Sequence, residues 1–221
     1  MNYYLISNLI TCLCALIGFI YGIAEFFKPK KAVYAQMITL AVGCVVFGRL
    51  YQMVRLITAG DISNEFQLGI LGVIGSLLFL FSANYGAMDS LADDGSKSFA
   101  KYRLIAMTAP AAAAAIYVVF ILICDFPLLI KAEAGVIAAF AALASYFNLK
   151  HLIFPDVDYG VINCLKAYNL LALIFDFLCI AETVAVSYNN ELAVLIIGII
   201  TGAVLIAITP TVKRGIMKWT A

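Results

Sequence analysis

Charge is what this sequence has least of: 14 Lys and Arg and 13 Asp and Glu make up 12% of its 221 residues. A soluble domain of this length needs far more charge to cover its surface, so the scarcity excludes a free-standing soluble fold. The net charge of +1 comes with no Lys/Arg block that could track a phosphate backbone, which leaves no basis for a nucleic-acid partner. A lone histidine, His151, cannot supply a multi-histidine metal site. The cysteines Cys12, Cys14, Cys44, Cys124, Cys164 and Cys179 fall in or beside apolar segments, with neither paired extracellular spacing nor metal-ligand spacing. They read as buried, inert thiols, and only Cys124 and Cys179 are a pair worth watching. No stretch carries a catalytic, metal or cofactor motif.

What is abundant is apolar surface. Hydrophobic residues make up 65% of the chain, and the mean hydropathy is +1.04. Runs of about 20 apolar residues, the length needed to cross a bilayer, occur at Tyr4–Phe26, Val33–Ile57, Phe66–Met88, Tyr102–Cys124, Leu128–Phe147, Val161–Val186 and Leu192–Pro210. The segments between them (KPKK, TAGDISN, DSLADDGSKS, DFP, KHLIFPDVDYG, SYNN) carry the charge and the turn-forming residues. Lipid offers the backbone no hydrogen-bond partner, so the runs must be helices, and the alternating ten-residue pattern of a barrel is absent. The expectation is an all-α integral membrane protein, a single domain built as a seven-transmembrane-helix bundle.

Basic residues set the expected direction. Lys28, Lys30, Lys31, Lys97, Lys101, Arg103, Lys150, Lys166, Lys213, Arg214 and Lys218 fall on the side of the first, third and fifth connections and the C-terminus. Lys131 stands alone on the other side. This predicts a multi-pass protein of the cell membrane with its N-terminus outside and its C-terminus in the cytoplasm. No basic stretch precedes the first run and no small-residue cleavage site follows it, so it reads as a retained helix. Trp219 beside Lys218 suits an aromatic anchor at the cytoplasmic interface.

Two spans resemble each other. The third opens NEFQLGILGVIGSLLFLF from Asn64 and the seventh NELAVLIIGIITGAVLIA from Asn190, matching at Asn, Glu, Ile70/Ile196, Gly72/Gly198 and Ile74/Ile200. A one-residue gap before Asn64 then aligns Arg49 with Asp176 and Arg55 with Glu182. The expectation is two parallel three-helix repeats, 1–90 and 126–212, joined by a linker helix at 100–125. This plan resembles the three-plus-one-plus-three architecture of SWEET sugar carriers, nicotinamide riboside carriers and microbial rhodopsins. The resemblance implies a central site between the repeats and, for the first two families, carriage of a small solute. The seventh span has no interior lysine, so a retinal Schiff base is not supported.

Arg49 and Arg55 carry the site argument. An unpaired charge near a bilayer centre costs at least about 2.5–3.5 kcal/mol, so such residues pair, face a wet cavity or snorkel to an interface. On the repeat alignment Arg49 meets Asp176 between the halves, whereas six residues of helix turn the second pair about 120° away. Arg55 and Glu182 are then expected at the outer mouth, near Gln52, Tyr51 and Tyr188. A buried ion pair can also serve packing alone. The outer surface collects Asp61, Glu65, Asp125, Glu133 and Glu191 against Lys131, a field that would concentrate cations. Gly69, Gly72 and Gly75 in the third span, and Gly198 and Gly202 in the seventh, offer small faces for close helix packing.

The leading functional expectation is transport of a small polar or charged solute through an outward-facing site between the second, third, sixth and seventh spans. Its residues are Arg49, Tyr51, Gln52, Arg55, Asp176 and Glu182, and the partners are the bilayer, the solute and a second copy of the chain. A receptor-like or sensory subunit is the alternative, since topology does not fix function. A third reading is a Mg²⁺-dependent lipid-modifying enzyme, with Asp89, Asp93 and Asp94 in one cytoplasmic loop and Asp156 and Asp158 in another. That pattern resembles the two aspartate-rich loops of intramembrane prenyltransferases, but it lacks their asparagine-led signature. An acidic helix stop at ADDGS is the simpler account of the first loop.

Overall fold

A computed structural model of the chain describes residues 3–29, 31–59, 67–123, 125–155 and 160–219. Lys30, Asp61, Asn64, Glu65, Phe66, Cys124, Asp156 and Asp158, named above, lie outside the described residues, as does the side chain of Trp219. Each apolar run became a helix: α1 (Tyr3–Phe26), α2 (Val33–Ala59), α3 (Ile70–Asn84), the stub α4 (Ala87–Ala92), α5 (Ala100–Ala106), α6 (Thr108–Ile123), α7 (Leu128–Ile153), α8 (Val161–Ser187) and α9 (Glu191–Trp219). A single 3₁₀ turn, Lys97–Phe99, leads into α5. No strand occurs among the described residues.

Among the described residues, six segments are long and apolar enough to cross a membrane: Tyr3–Phe26, Val33–Thr58, Lys97–Ile123, Leu128–Ile153, Asn163–Ser187 and Glu191–Lys218. The chain is thus a multi-pass membrane protein. The third run departs from expectation. Its helix holds 15 residues, about 22 Å at 1.5 Å each, against a hydrocarbon core of about 30 Å. It ends at Asn84 because Gly86 takes φ 78° and redirects the chain into α4. Two other boundaries also moved. The fourth run breaks at Met107, where Pro110 has no N–H to offer the Ala106 carbonyl. The seventh runs straight through Pro210 to Trp219, so the basic segment expected to be a tail is helical, and its Lys213 is held 2.8 Å from Glu25 of α1.

The helices α1, α2, α3, α7, α8 and α9 form a closed ring, each packed on the next and α9 on α1, with α6 outside against α7. Inside lie Ile38, Val42, Leu77, Phe175, Leu205 and Ile208, all within 2% of full burial. Outward-facing Leu13, Ile17, Ile20, Phe47 and Leu122 stay exposed, as lipid contact requires. Two seams are unusually tight. The α1–α9 seam is tied by hydroxyls donating to backbone carbonyls, Ser7 to Val194 at 3.0 Å, Thr11 to Gly198 at 3.1 Å and Thr209 to Gly18 at 3.0 Å. At the α2–α3 crossing, a methyl group on Gly72 would stand 2.6 Å from the Gly48 Cα, so only glycine permits this approach. That crossing fixes the height and direction of the neighbouring Arg49.

Candidate functional site

The ring is hollow at one end. A cavity of about 490 Å³ opens where α1, α3, α7 and α9 begin and where α2 and α8 finish, a size usual for small-molecule sites. Its apolar wall includes Ile70, Val73, Phe126, Ile130 and Ile137; all six ring helices line it, and its polar side chains come from α1, α2, α7 and α8 and from Gln67 and Asn189 between helices. α1 supplies Tyr4 and Asn8, α2 supplies Arg49, Gln52 and Arg55, and α7 supplies Glu133. Glu182, Thr183 and Ser187 enter from α8.

At its centre the Arg49 guanidinium is ion-paired with the Glu182 carboxylate. The second terminal nitrogen of Arg49 donates to the side-chain oxygens of Gln52 at 3.1 Å and Asn8 at 3.2 Å. Arg49 and Glu182 keep only 6% and 8% of their exposure. In so dry a setting a broken pair leaves a costly stranded charge, and this holds the two side chains together. Not every donor is used: Arg49 Nε and the Tyr4 hydroxyl lack hydrogen-bond partners among the described residues. On the opposite wall a Glu133 oxygen accepts the Gln67 N–H at 3.3 Å.

Of the residues expected from sequence, Arg49, Gln52, Arg55 and Glu182 line this cavity, whereas Tyr51 and Asp176 do not. The expected bridge from Arg49 to Asp176 is absent, and Glu182 has taken that place. Equal height did not select the partner: Glu182 lies six residues, about 9 Å, further along α8 than Asp176, and those six residues also turn Asp176 about 120° away around the helix. There it accepts a hydrogen bond from Asn148 Nδ2 of α7 at 2.7 Å and is fully buried. Inside the hollow two arginines face two glutamates, while Asp61 and Glu65 of the expected acidic outer surface lie outside the described residues. Asn8, Tyr4 and Gln67 were not anticipated. The first is the kind of polar residue inside an apolar span that marks an interior face.

The far end of the ring holds a cluster of ion pairs. Lys150 of α7, expected in a loop, is a buried helical residue bound to Asp89 at 2.7 Å and Asp93 at 2.9 Å. Arg103 reaches Asp93 at 3.0 Å and His151 lies 3.3 Å from Asp89. Burial works against the Asp89 carboxylate, yet the hydrogen bonds from His151 and Lys150 outweigh it and hold the group below the usual carboxylate range. Asp94 also titrates low, because the Ser96 N–H donates to it at 2.8 Å in an exposed turn. Asp89 and Asp93 are thus committed to cations of the chain itself, and no cluster of three metal-binding side chains occurs among the described residues.

The cysteines Cys12, Cys14, Cys44, Cys164 and Cys179 are free thiols, with Cys179 on the cavity wall. No protein-family model, curated protein or solved structure matches this chain, so the chemistry of the cavity itself carries the functional reading.

Proposed function

We propose that this protein binds a small polar solute in the cavity around Arg49 and Glu182 and carries it across the membrane. The supporting observation is that pair: a buried salt bridge at the heart of a hollow, with a guanidinium nitrogen and a tyrosine hydroxyl beside it still unbonded. A solute offering its own acceptor and donor can replace each partner of the bridge without leaving a bare charge in low dielectric. Two arginines balanced by two glutamates favour a neutral or zwitterionic solute over a net cation or anion.

In this reading α3 serves as a seventh, short membrane segment, and α1–α3 and α7–α9 are parallel repeats around α5–α6. The ring neighbours support it, since exchanging the two triplets turns the α1–α9 contact into the α7–α3 contact. The distribution of lysine and arginine supports an outward-facing cavity. The far end, where Lys150 ties α7 to Asp89 and Asp93, is then the closed gate of an alternating-access cycle.

The test is flux in proteoliposomes loaded with a mixed pool of amino acids, sugars and nucleosides, read by counterflow. Expected is exchange of a neutral or zwitterionic class that Arg49→Lys abolishes while the protein remains folded. Solute binding with no flux, in vesicles of verified integrity, would overturn carriage in favour of a receptor-like role.

A further inference from the structure

Beneath the cavity floor lies a second polar layer that no solute reaches. Asp176 stands one helical turn below Cys179, on the side of α8 that faces α7 and α3. From it a chain of hydrogen bonds crosses the ring. Asn148 Nδ2 donates to Asp176, and Asn84 Nδ2 donates to the side-chain oxygens of Asn148 at 2.5 Å and Asn169 at 3.0 Å. All four side chains are within 1% of full burial.

The layer lacks a positive charge. No basic side chain of the described residues pairs with Asp176, and its Oδ1 accepts no hydrogen bond. Glu182 and Cys179 follow on its own helix and Tyr168 precedes it, with Tyr34 of α2 edge-on to Tyr168 at 5.7 Å. Arg49 is committed to Glu182, and Lys150 and His151 of α7 to Asp89 and Asp93. Lys131 and Glu133 sit in the first turns of α7 at the cavity end, α3 has no charged residue, and α6 carries only Tyr117, which donates to the Lys131 carbonyl. The charges of α9, Glu191, Lys213, Arg214 and Lys218, lie toward its two ends. An ionised carboxylate in such a place, with one amide donor, forfeits several kcal/mol of hydration with no opposite charge to replace it.

Two ways of neutralising it exist, a metal cation or a proton. A hard cation asks for about six oxygen ligands. Here the side-chain oxygens of Asn148 and Asn169 already accept N–H groups, which leaves Asp176 Oδ1, Asn84 Oδ1 and the Tyr168 hydroxyl as unpartnered oxygens. A proton needs one oxygen.

We propose that Asp176 is a proton-binding site, held as the neutral acid in this conformation and releasing its proton when the ring rearranges to pass solute. The coupling half rests on the carrier reading; the proton occupancy does not. The Tyr168 and Tyr34 hydroxyls, also without partners, lie on the far-end side of Asp176 along the route a released proton would take.

Infrared spectroscopy of the purified protein at neutral pH, with ¹³C-labelled aspartate, separates the two halves. Expected is the carbonyl band of a protonated carboxylic acid that shifts with the label and vanishes in Asp176→Asn. Should that variant not fold, Asn148→Ser removes the amide donor and must move the same band. A band absent at neutral pH, or present only after sodium and potassium are removed, overturns the proposal. In proteoliposomes, Asp176→Asn should exchange solute at the wild-type rate but lose proton-gradient-driven accumulation; accumulation unchanged from wild type would overturn the coupling. A protonated band in a protein that moves no solute would leave the site standing and defeat carriage alone.

Discussion

The two ends of the ring use the same chemistry in different surroundings. Each holds a buried cation from one helix against carboxylates from another, Arg49 with Glu182 at the cavity end and Lys150 with Asp89 and Asp93 at the far end. What differs is the surrounding volume. Lys150 is flanked by the rings of Phe154, Phe147 and Tyr146 within 5.3–6.0 Å, and Phe154 is fully buried. Arg49 instead borders a hollow of about 490 Å³. A salt bridge becomes a recognition element only where a third party has room to compete for it; packed among aromatic rings, it is a bolt.

The comparison is sharpest in the variants that cut each bridge. Arg49→Ala leaves Glu182 buried without its partner, a change that costs about 3–5 kcal/mol. Loss of that size should appear as a large fall in thermal midpoint in detergent. Adding Glu182→Ala removes the stranded charge and should restore most of it, and a double variant no more stable than the single would show that the pair does not act as a unit. Lys150→Met should cost less, about 1–3 kcal/mol, because Arg103 still holds Asp93 and His151 still lies beside Asp89. A larger loss at Lys150 than at Arg49 would reverse the assignment of bolt and recognition element.

Hydropathy made most of this architecture legible, and the exceptions have separate causes. Length alone marked the long helices, because only a helix satisfies an apolar backbone in lipid. It could not shorten the third, since a positive φ at Gly86 is a local event within an apolar stretch. Pro210 was read as a stop, but a helix interior tolerates proline where packing holds both sides, and Thr209 and Lys213 bind α1 on either side of it. Lys150 and His151 were assigned to a connection because charge usually means solvent; Asp89 and Asp93 supply the compensation that keeps them inside α7. At the site, aligning the two halves set Asp176 level with Arg49, but the pairing fell to Glu182, about 9 Å further along α8, because the alignment carries neither the azimuth of α8 nor the reach of the arginine side chain. The asparagines Asn8, Asn84 and Asn169 were visible as amides within apolar spans, and Asn148 just past the end of one, the residue type that such spans tolerate only with partners.

The two smallest effects test the ends separately. At the far end, Asp89 titrates lower in the folded protein than in the unfolded chain. The folded state therefore gains stability from its ionised form above the ordinary aspartate value, about 3.9. That gain is lost as pH falls through the lower, folded value. Wild-type protein should lose stability on acidification below about pH 4 more steeply than Asp89→Asn, by unfolding measured across the acid range. Parallel acid limbs would mean that Lys150 and His151 do not hold Asp89 ionised. At the cavity end, Tyr51→Phe should change stability by no more than about 0.5 kcal/mol, as for surface changes that remove no partner. It should also leave solute exchange untouched, because Tyr51 sits outside the cavity while Gln52, one residue on, touches Arg49. Neighbours in sequence with opposite outcomes, Gln52→Ala impairing exchange and Tyr51→Phe not, would locate the working face of α2 by function alone. If Tyr51→Phe instead impaired exchange as strongly as Gln52→Ala, the solute would have to approach α2 from the other side, and the hollow beside Arg49 would lose its role.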